Sequence, residues 1–85
     1  MSYRVELARS ARTYLDRLDR PTQERIGRLI DQLMEDPHTA SKPLTGPGRR
    51  RSARVGRYRV IFTVDSGDIV NISRIGSRGQ VYRGL

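Results

Sequence analysis

The chain has 85 residues, of which 17 are Lys or Arg and 9 are Asp or Glu, so its formal net charge is +8. A chain of this length forms one small domain, and we expect residues 1–85 to be a single domain. Cysteine is absent and histidine occurs once, which excludes disulfides and thiolate metal sites, so we expect neither a metal nor a cofactor. No apolar stretch approaches the ~20 residues of a membrane span, and no secretory signal is evident. We therefore expect a cytoplasmic protein without a membrane partner.

The net positive charge comes from the second half of the chain. Seven basic and seven acidic residues cancel up to residue 36, whereas ten basic residues beyond it oppose only two acidic ones, which accounts for the whole net charge. Nine of those ten are arginine, whose flat and permanently charged guanidinium grips phosphate at two points. High genomic GC content is an alternative reason for the scarcity of lysine, but it does not explain the asymmetry. The distribution therefore indicates a phosphate-rich partner.

The first 36 residues predict a strand followed by a helical hairpin. Residues 3–7 alternate apolar and charged side chains, which is typical of a strand. Ser10 is the expected N-cap of the first helix. Pro21 suits the first turn of the second helix, because the N–H that proline lacks would have no partner there, and Asp36-Pro37 ends that helix. The apolar residues recur at the spacing of a buried helical stripe: Ala11, Tyr14, Leu15 and Leu18, then Ile26, Leu29, Ile30, Leu33 and Met34.

The second half predicts a surface loop and three strands. Residues 37–48 contain three Pro and two Gly, a composition typical of a loop. Residues 65–68 form a hairpin turn, in which Gly67 can take a positive φ. The strands are expected at 51–55, 57–65 and 69–75.

These elements predict an α+β fold: an N-terminal strand, a helical hairpin and then a three-stranded antiparallel meander, with the helices packed on one face of the sheet. Side chains of a strand alternate between the two faces. The apolar residues that share one face of the middle strand are Tyr58, Val60, Phe62 and Val64. If these pack on the helices, Arg59 faces the other way, where Arg50, Ser52 and Arg54 can join it. We therefore expect a basic surface on the uncovered face of the sheet.

Two runs carry the candidate chemistry: RSARVGRYRVIF at 51–62 and IGSRGQVYR at 75–83. Together with KPLTG at 42–46 and the helical hairpin, they resemble the RelE/ParE superfamily of bacterial toxins from type II toxin–antitoxin systems. The resemblance covers nearly the whole chain and is nearest to the RelE branch, whose members cut mRNA in the ribosomal A site. It implies a toxin with the α+β fold described above.

The resemblance also implies roles for individual residues. Arg59 matches the arginine that stabilises the scissile phosphate, and Arg78 matches the one credited with stabilising the transition state or the leaving group. Tyr82 matches the tyrosine that stacks on or orients the nucleotide. These three are the predicted catalytic residues. The predicted RNA-binding residues are the surrounding arginines: Arg50, Arg51, Arg54, Arg57 and Arg83.

The chain departs from the family pattern at the positions where a general base is expected. Arginine stays protonated at any workable pH and cannot act as the base. Ser77 precedes Arg78 where many relatives have His or Lys, and Ser52 occupies a position that is often lysine. Two groups remain as alternatives for the proton acceptor, namely Tyr82 as a tyrosinate and His38.

The leading prediction is a metal-independent RelE-like endoribonuclease that cleaves mRNA by attack of its own 2′-OH and so inhibits translation. Its expected partners are a cognate antitoxin, the ribosome and mRNA. Two alternatives are a ParE-like inhibitor of DNA gyrase and a catalytically inactive basic module that binds antitoxin or RNA.

Overall fold

Two helices cover one face of a five-stranded sheet. A computed structural model describes residues 3–83. The elements in chain order are β1 (Arg4–Leu7), α1 (Arg9–Asp16), α2 (Arg20–Glu35), β2 (Lys42–Pro43), β3 (Arg51–Val55), β4 (Tyr58–Asp65) and β5 (Ile69–Ser77). The strand order is β1-β5-β4-β3-β2. The antiparallel meander β3-β4-β5 confirms the predicted α+β arrangement. In addition, β1 pairs parallel to β5 at one edge, and β2, inside the predicted loop, pairs antiparallel to β3 at the other.

The second helix begins as predicted, with Pro21 in its first turn. Asp19 is its N-cap, and the carboxylate accepts hydrogen bonds from the Thr22 hydroxyl at 2.7 Å and from the Thr22 backbone N–H at 3.4 Å. These bonds satisfy a donor that the helix itself leaves without a partner. Within residues 3–83, neither helix has the length and apolar character needed to cross a membrane.

The predicted N-cap of α1 is wrong. The helix begins at Arg9 with Ala8 as its N-cap, and no side chain caps it. The reason is the pairing of β1 with β5: the Ala8 N–H still donates to the Ile72 carbonyl at 2.8 Å. The chain therefore passes directly from the sheet into the helix, and Ser10 lies inside the first turn.

The core lies between the helices and the inner face of the sheet. Val60 and Phe62 of β4 are fully buried there, as the alternation of that strand predicts. Burying each aliphatic or aromatic side chain of this size contributes about 1.5–3 kcal/mol. The other buried members of the core are Ala11, Ile26, Leu29, Leu33, Ala53, Val70, Ile72 and Ile75.

A β-bulge in β5 changes which side chains face the core. Phe62 pairs with Ile72, but the preceding residue, Ile61, pairs with Arg74, so Ser73 is the extra residue. Strict alternation would place Arg74 on the same face as Ile72. The bulge instead turns Arg74 to the face away from the helices and brings Ile75 into the core, because one inserted residue exchanges the two faces.

The face away from the helices, here called the outer face, is partly covered. Residues 78–83, the C-terminal segment, follow β5 as a series of turns. Val81 is 2% exposed, and Ile61 on the outer face is fully buried, although neither belongs to the main core. A Cβ on Gly76 would lie 3.2 Å from the Val81 Cβ, so the segment packs closely against the strand it has just left. The C-terminal segment thus covers part of the expected uncovered face, which stays open towards β2 and β3.

Candidate nucleic-acid interface

A groove of about 510 Å³ lies on the open part of the outer face. Residues 39–44, which include β2, form one wall, and Tyr82 of the C-terminal segment borders it as well. Ser52, Arg54 and Arg59 complete the lining from β3 and β4. We call these residues together the basic groove.

The register of β3 and β4 places two arginines side by side in the basic groove. Arg54 lies directly opposite Arg59, and Ser52 lies opposite Ile61. Like charges in directly opposed positions of a strand pair are destabilising. The Arg54 Nε donates to the Gly56 carbonyl at 3.3 Å, and within residues 3–83 neither guanidinium forms a salt bridge with a carboxylate. The arrangement is suited to an anion placed between the two arginines.

Tyr82 is the aromatic element of the basic groove. It is the large apolar side chain that stays exposed among residues 3–83, with 36% of its surface accessible. Its hydroxyl lies 3.2 Å from the Ser52 Oγ. Tyr82 also borders an adjoining recess of about 300 Å³ that Arg50 lines. An exposed ring between arginines can stack on a nucleobase while the cations bind phosphate.

Four of the eight predicted site residues line the basic groove or its adjoining recess: Arg50, Arg54, Arg59 and Tyr82. Arg57 is exposed in the turn between β3 and β4, and its carbonyl accepts the Arg78 backbone N–H at 2.8 Å. The Arg78 side chain is exposed and does not line the groove. Arg83 lies at the far end of the C-terminal segment, beside Arg74. The catalytic role assigned to Arg78 stays a prediction.

Arg51 lies on the opposite face of β3 from Arg54. It pairs with Phe62, so it lies on the inner face of the sheet. Its guanidinium donates to the Ser41 Oγ at 2.7 Å, to the Ser41 carbonyl at 3.2 Å and to the His38 carbonyl at 3.3 Å. These three bonds fasten the segment that forms one wall of the basic groove.

Lys42 is a lining residue that the sequence did not identify. It lies opposite Ser52 in the β2–β3 pair and borders the basic groove. The pairing involves only two residues of β2, one of them Pro43, and such a short strand leaves no alternating pattern to detect. Apart from the arginines, the titratable side chains that line the groove are Lys42 and Tyr82.

His38 is not among the residues that line the basic groove. It borders a separate recess with Arg49, Arg50 and Arg51. Its backbone N–H donates to the Asp36 carboxylate at 3.1 Å. The hydrogen bond from the Thr39 side chain, at 2.6 Å, is the largest cause that lowers the pKa of Asp36 below its ordinary value, followed by the backbone N–H groups of Thr39 and His38. The role of this cluster is to fix the turn that leads from α2 into β2.

Comparison with known families gives a match over nearly the whole chain. The model of the family described as the ParE toxin of type II toxin–antitoxin systems, parDE, matches residues 5–82. No curated protein matches the chain by sequence with significance.

Solved structures with the same fold come from bacteria and archaea. A chain of the RelBE2 toxin–antitoxin complex from Mycobacterium tuberculosis is 27% identical, with a TM-score of 0.82, and the match covers 92% of this chain and 100% of that one. A chain of the RelE–RelB complex from Pyrococcus horikoshii is 28% identical, with a TM-score of 0.79 and coverage of 95% and 100%. A chain of the E. coli RelBE complex, at 19% identity, a TM-score of 0.77 and coverage of 88% and 95%, shares the fold.

Proposed function

The chain belongs to the RelE/ParE superfamily of toxins from type II toxin–antitoxin systems, and from this premise we propose that it is an endoribonuclease that cleaves mRNA in the ribosomal A site. The observation that carries the proposal is the meeting of Arg54, Arg59 and Tyr82 in one basic groove. The two arginines can bind one phosphate of an RNA substrate, and the exposed ring can stack on one base.

The proposed reaction is attack of the substrate's own 2′-OH on the neighbouring phosphorus. The 2′-oxygen forms a bond to phosphorus, the bond to the 5′-oxygen breaks, and the products are a 2′,3′-cyclic phosphate and a 5′-hydroxyl. Only RNA carries the 2′-OH. The proton lost by the 2′-OH must go to a base, and the 5′-oxygen must receive one from an acid.

Arg54 and Arg59 serve this reaction by stabilising charge. Negative charge grows on the phosphorane oxygens in the transition state, and preorganised donors aimed at such charge are worth about 2.7–4 kcal/mol each. The β3–β4 register places Arg54 directly opposite Arg59, so both side chains can reach one phosphate from neighbouring strands.

Tyr82 serves the reaction by orienting the nucleotide. Stacking of a base on an aromatic ring contributes roughly 1–3 kcal/mol, and the hydrogen bond to Ser52 fixes the ring at the groove. For proton transfer we propose that the Tyr82 oxygen, as tyrosinate, accepts the proton of the 2′-OH and that the Lys42 ammonium donates one to the 5′-oxygen, since both belong to the groove lining and His38 does not.

The proposed partners are an antitoxin and the ribosome. The similar structures from Mycobacterium tuberculosis and Pyrococcus horikoshii are described as toxin–antitoxin and RelE–RelB complexes, and we propose a cognate antitoxin for this chain on that basis. The net charge of +8 suits binding to ribosomal RNA. Such binding weakens steeply as salt rises, because each phosphate contact releases counterions.

A second candidate function is inhibition of DNA gyrase. It is favoured by the family model that matches the chain, which describes ParE toxins. Gyrase inhibition requires binding alone, so it would need neither a base nor an acid in the basic groove.

Induced expression in a bacterial host tests the two candidates against each other. The nuclease proposal predicts growth arrest with halted translation and new transcript ends within codons, and a strongly reduced effect for Arg59→Ala. Growth arrest with double-strand DNA breaks, trapped gyrase and intact transcripts would refute the nuclease proposal and favour the second candidate.

A further inference from the structure

We propose that Arg74 is a positioning residue that sets the place of Tyr82 at the basic groove. This inference rests on the proposed function, in which Tyr82 contacts the nucleotide. The Arg74 Nη1 donates to the Val81 carbonyl at 3.0 Å and also to the Arg83 carbonyl. These two carbonyls stand on either side of Tyr82 in the chain. One side chain of the sheet therefore holds the backbone on both sides of the aromatic residue.

The bulge at Ser73 is what makes this contact available. Arg74 pairs with Ile61 on the outer face, whereas Ile72, two residues earlier, faces the core. Without the extra residue, Arg74 would point into the apolar core beneath the helices. Bulges occur preferentially next to active sites, where they redirect a side chain. Here the redirected side chain binds the segment that carries Tyr82.

The near part of the C-terminal segment has its own anchors. The backbone N–H groups of Gln80 and Val81 donate to the Ser77 carbonyl at 3.2 and 2.9 Å. Val81 is buried and lies against Gly76, where any larger side chain would crowd it. These contacts fix the segment only up to Val81. The described contacts beyond that point are the Arg83 N–H bond to Gln80, the Arg74 bond to the Arg83 carbonyl and the bond between Tyr82 and Ser52.

Arg74 lies outside the basic groove, so its effect on Tyr82 can be tested apart from contact with RNA. It borders a different recess, with Tyr14 and Gln80, and is not among the lining residues of the basic groove. It is half-buried, and the two N–H groups of its Nη1 can donate to the two carbonyls at once. An effect of Arg74 on catalysis is thus expected to pass through the position of Tyr82 and not through direct contact with RNA.

Fluorine NMR of protein labelled with 3-fluorotyrosine tests the positioning directly. The Tyr82 signal is identified by its loss in Tyr82→Phe, and Tyr3 serves as the internal reference. In Arg74→Met, which keeps the apolar stem but no donor, the Tyr82 signal is expected to shift and sharpen towards that of a freely exposed tyrosine. Arg28→Ala, an exposed helix position, removes one charge and is expected to leave the signal unchanged. An unchanged Tyr82 signal in folded Arg74→Met would overturn the proposal.

Cleavage of ribosome-bound mRNA gives the second readout. Arg74→Met is expected to reduce the rate about tenfold or more, and to cause no further loss in a Tyr82→Ala background, because residues that act as a unit are not additive. Arg74→Lys keeps a donor and is expected to fall between wild type and Arg74→Met on both readouts. Fully additive losses, or equal effects of Lys and Met, would contradict the proposal. If the wild-type protein cleaves nothing, the proposed nuclease function fails, while the fluorine signal still decides whether Arg74 positions Tyr82.

Discussion

The Tyr82 hydroxyl lies 3.2 Å from the Ser52 Oγ. This contact joins the C-terminal segment to β3, two parts of the chain separated by 30 positions. Ser52 occupies a position where the family resemblance leads one to expect lysine. In this chain the small hydroxyl serves a different purpose, because it holds the exposed ring beside Arg54 and Arg59. The basic groove is therefore assembled by tertiary contacts and not by one sequence motif.

Substitutions of Tyr82 separate stacking from hydrogen bonding. Tyr82→Phe keeps the ring but loses both the bond to Ser52 and the hydroxyl proposed for proton transfer, so we expect mRNA cleavage to fall by about 10²- to 10⁴-fold. Tyr82→Ala also removes the ring, and a further loss of about 5- to 150-fold relative to Tyr82→Phe follows from the 1–3 kcal/mol that stacking contributes. Single-turnover cleavage rates measure both. Equal rates for Tyr82→Ala and Tyr82→Phe would exclude a stacking role.

Replacing Arg54 is expected to harm activity without harming the fold. Arg54→Gln removes one of two like charges that lie directly opposite each other, so the free energy of unfolding should stay the same or rise by a few tenths of a kcal/mol. Cleavage should fall by about 10²- to 10³-fold, the usual effect of losing one donor to transition-state charge. Denaturant unfolding and cleavage assays on the same preparation check both. A variant that loses stability and keeps its activity would contradict this role.

Arg51 is expected to act on stability. Arg51→Ala removes three hydrogen bonds to the segment that forms a wall of the groove, and we expect the free energy of unfolding to fall by about 1–2 kcal/mol. The slope of RNA affinity against salt concentration should match that of the wild type, since no phosphate contact is lost. A shallower slope together with unchanged stability would instead support the RNA-binding role predicted from the sequence.

The acid sensitivity of the fold should depend in part on Asp19. The bond from the Thr22 hydroxyl is the largest cause that lowers the pKa of Asp19 below its ordinary value of 3.8. A carboxylate with a lower pKa in the folded state stabilises the protein above its unfolded pKa, and this contribution is lost as pH falls through the folded pKa. Asn also serves as an N-cap but does not titrate.

Asp19→Asn therefore provides a matched comparison. The variant is expected to be less stable than wild type at pH 7, and the difference should shrink as the pH falls below 3.8. Denaturant unfolding at several pH values measures it. A difference in stability that stays constant across this range would show that ionisation of Asp19 does not contribute.

The sequence allowed the fold to be predicted wherever local periodicity determines structure. The apolar stripes of the helices and the alternation around Val60 and Phe62 predict that the helices pack on one face of the sheet. The same alternation predicts that Arg59 lies on the outer face beside Arg54. The parallel pairing of β1 with β5 and the two-residue strand β2 were not predicted, because both depend on contacts between distant segments. The bulge at Ser73 was not predicted for the same reason.

Prediction of the candidate site was limited in the same way. Arg51 and Arg54 belong to one arginine-rich run, yet they lie on opposite faces of β3. Alternation predicts Arg54 on the outer face, but the family resemblance does not separate it from Arg51. Lys42 reaches the groove through β2, and Arg74 reaches the outer face through the bulge. Each of these placements depends on strand register, which composition and motif do not reveal.

The central claim is that the basic groove cleaves mRNA, and purified components test it most directly. The protein is added to ribosomes stalled with a defined codon in the A site, and the 5′ ends of the mRNA are mapped. We predict a single cut in that codon, giving a 2′,3′-cyclic phosphate, with rates lowered about 10²- to 10³-fold by Arg59→Ala and unchanged by Arg28→Ala. Intact mRNA with wild-type protein, or equal cutting by Arg59→Ala, would contradict the account.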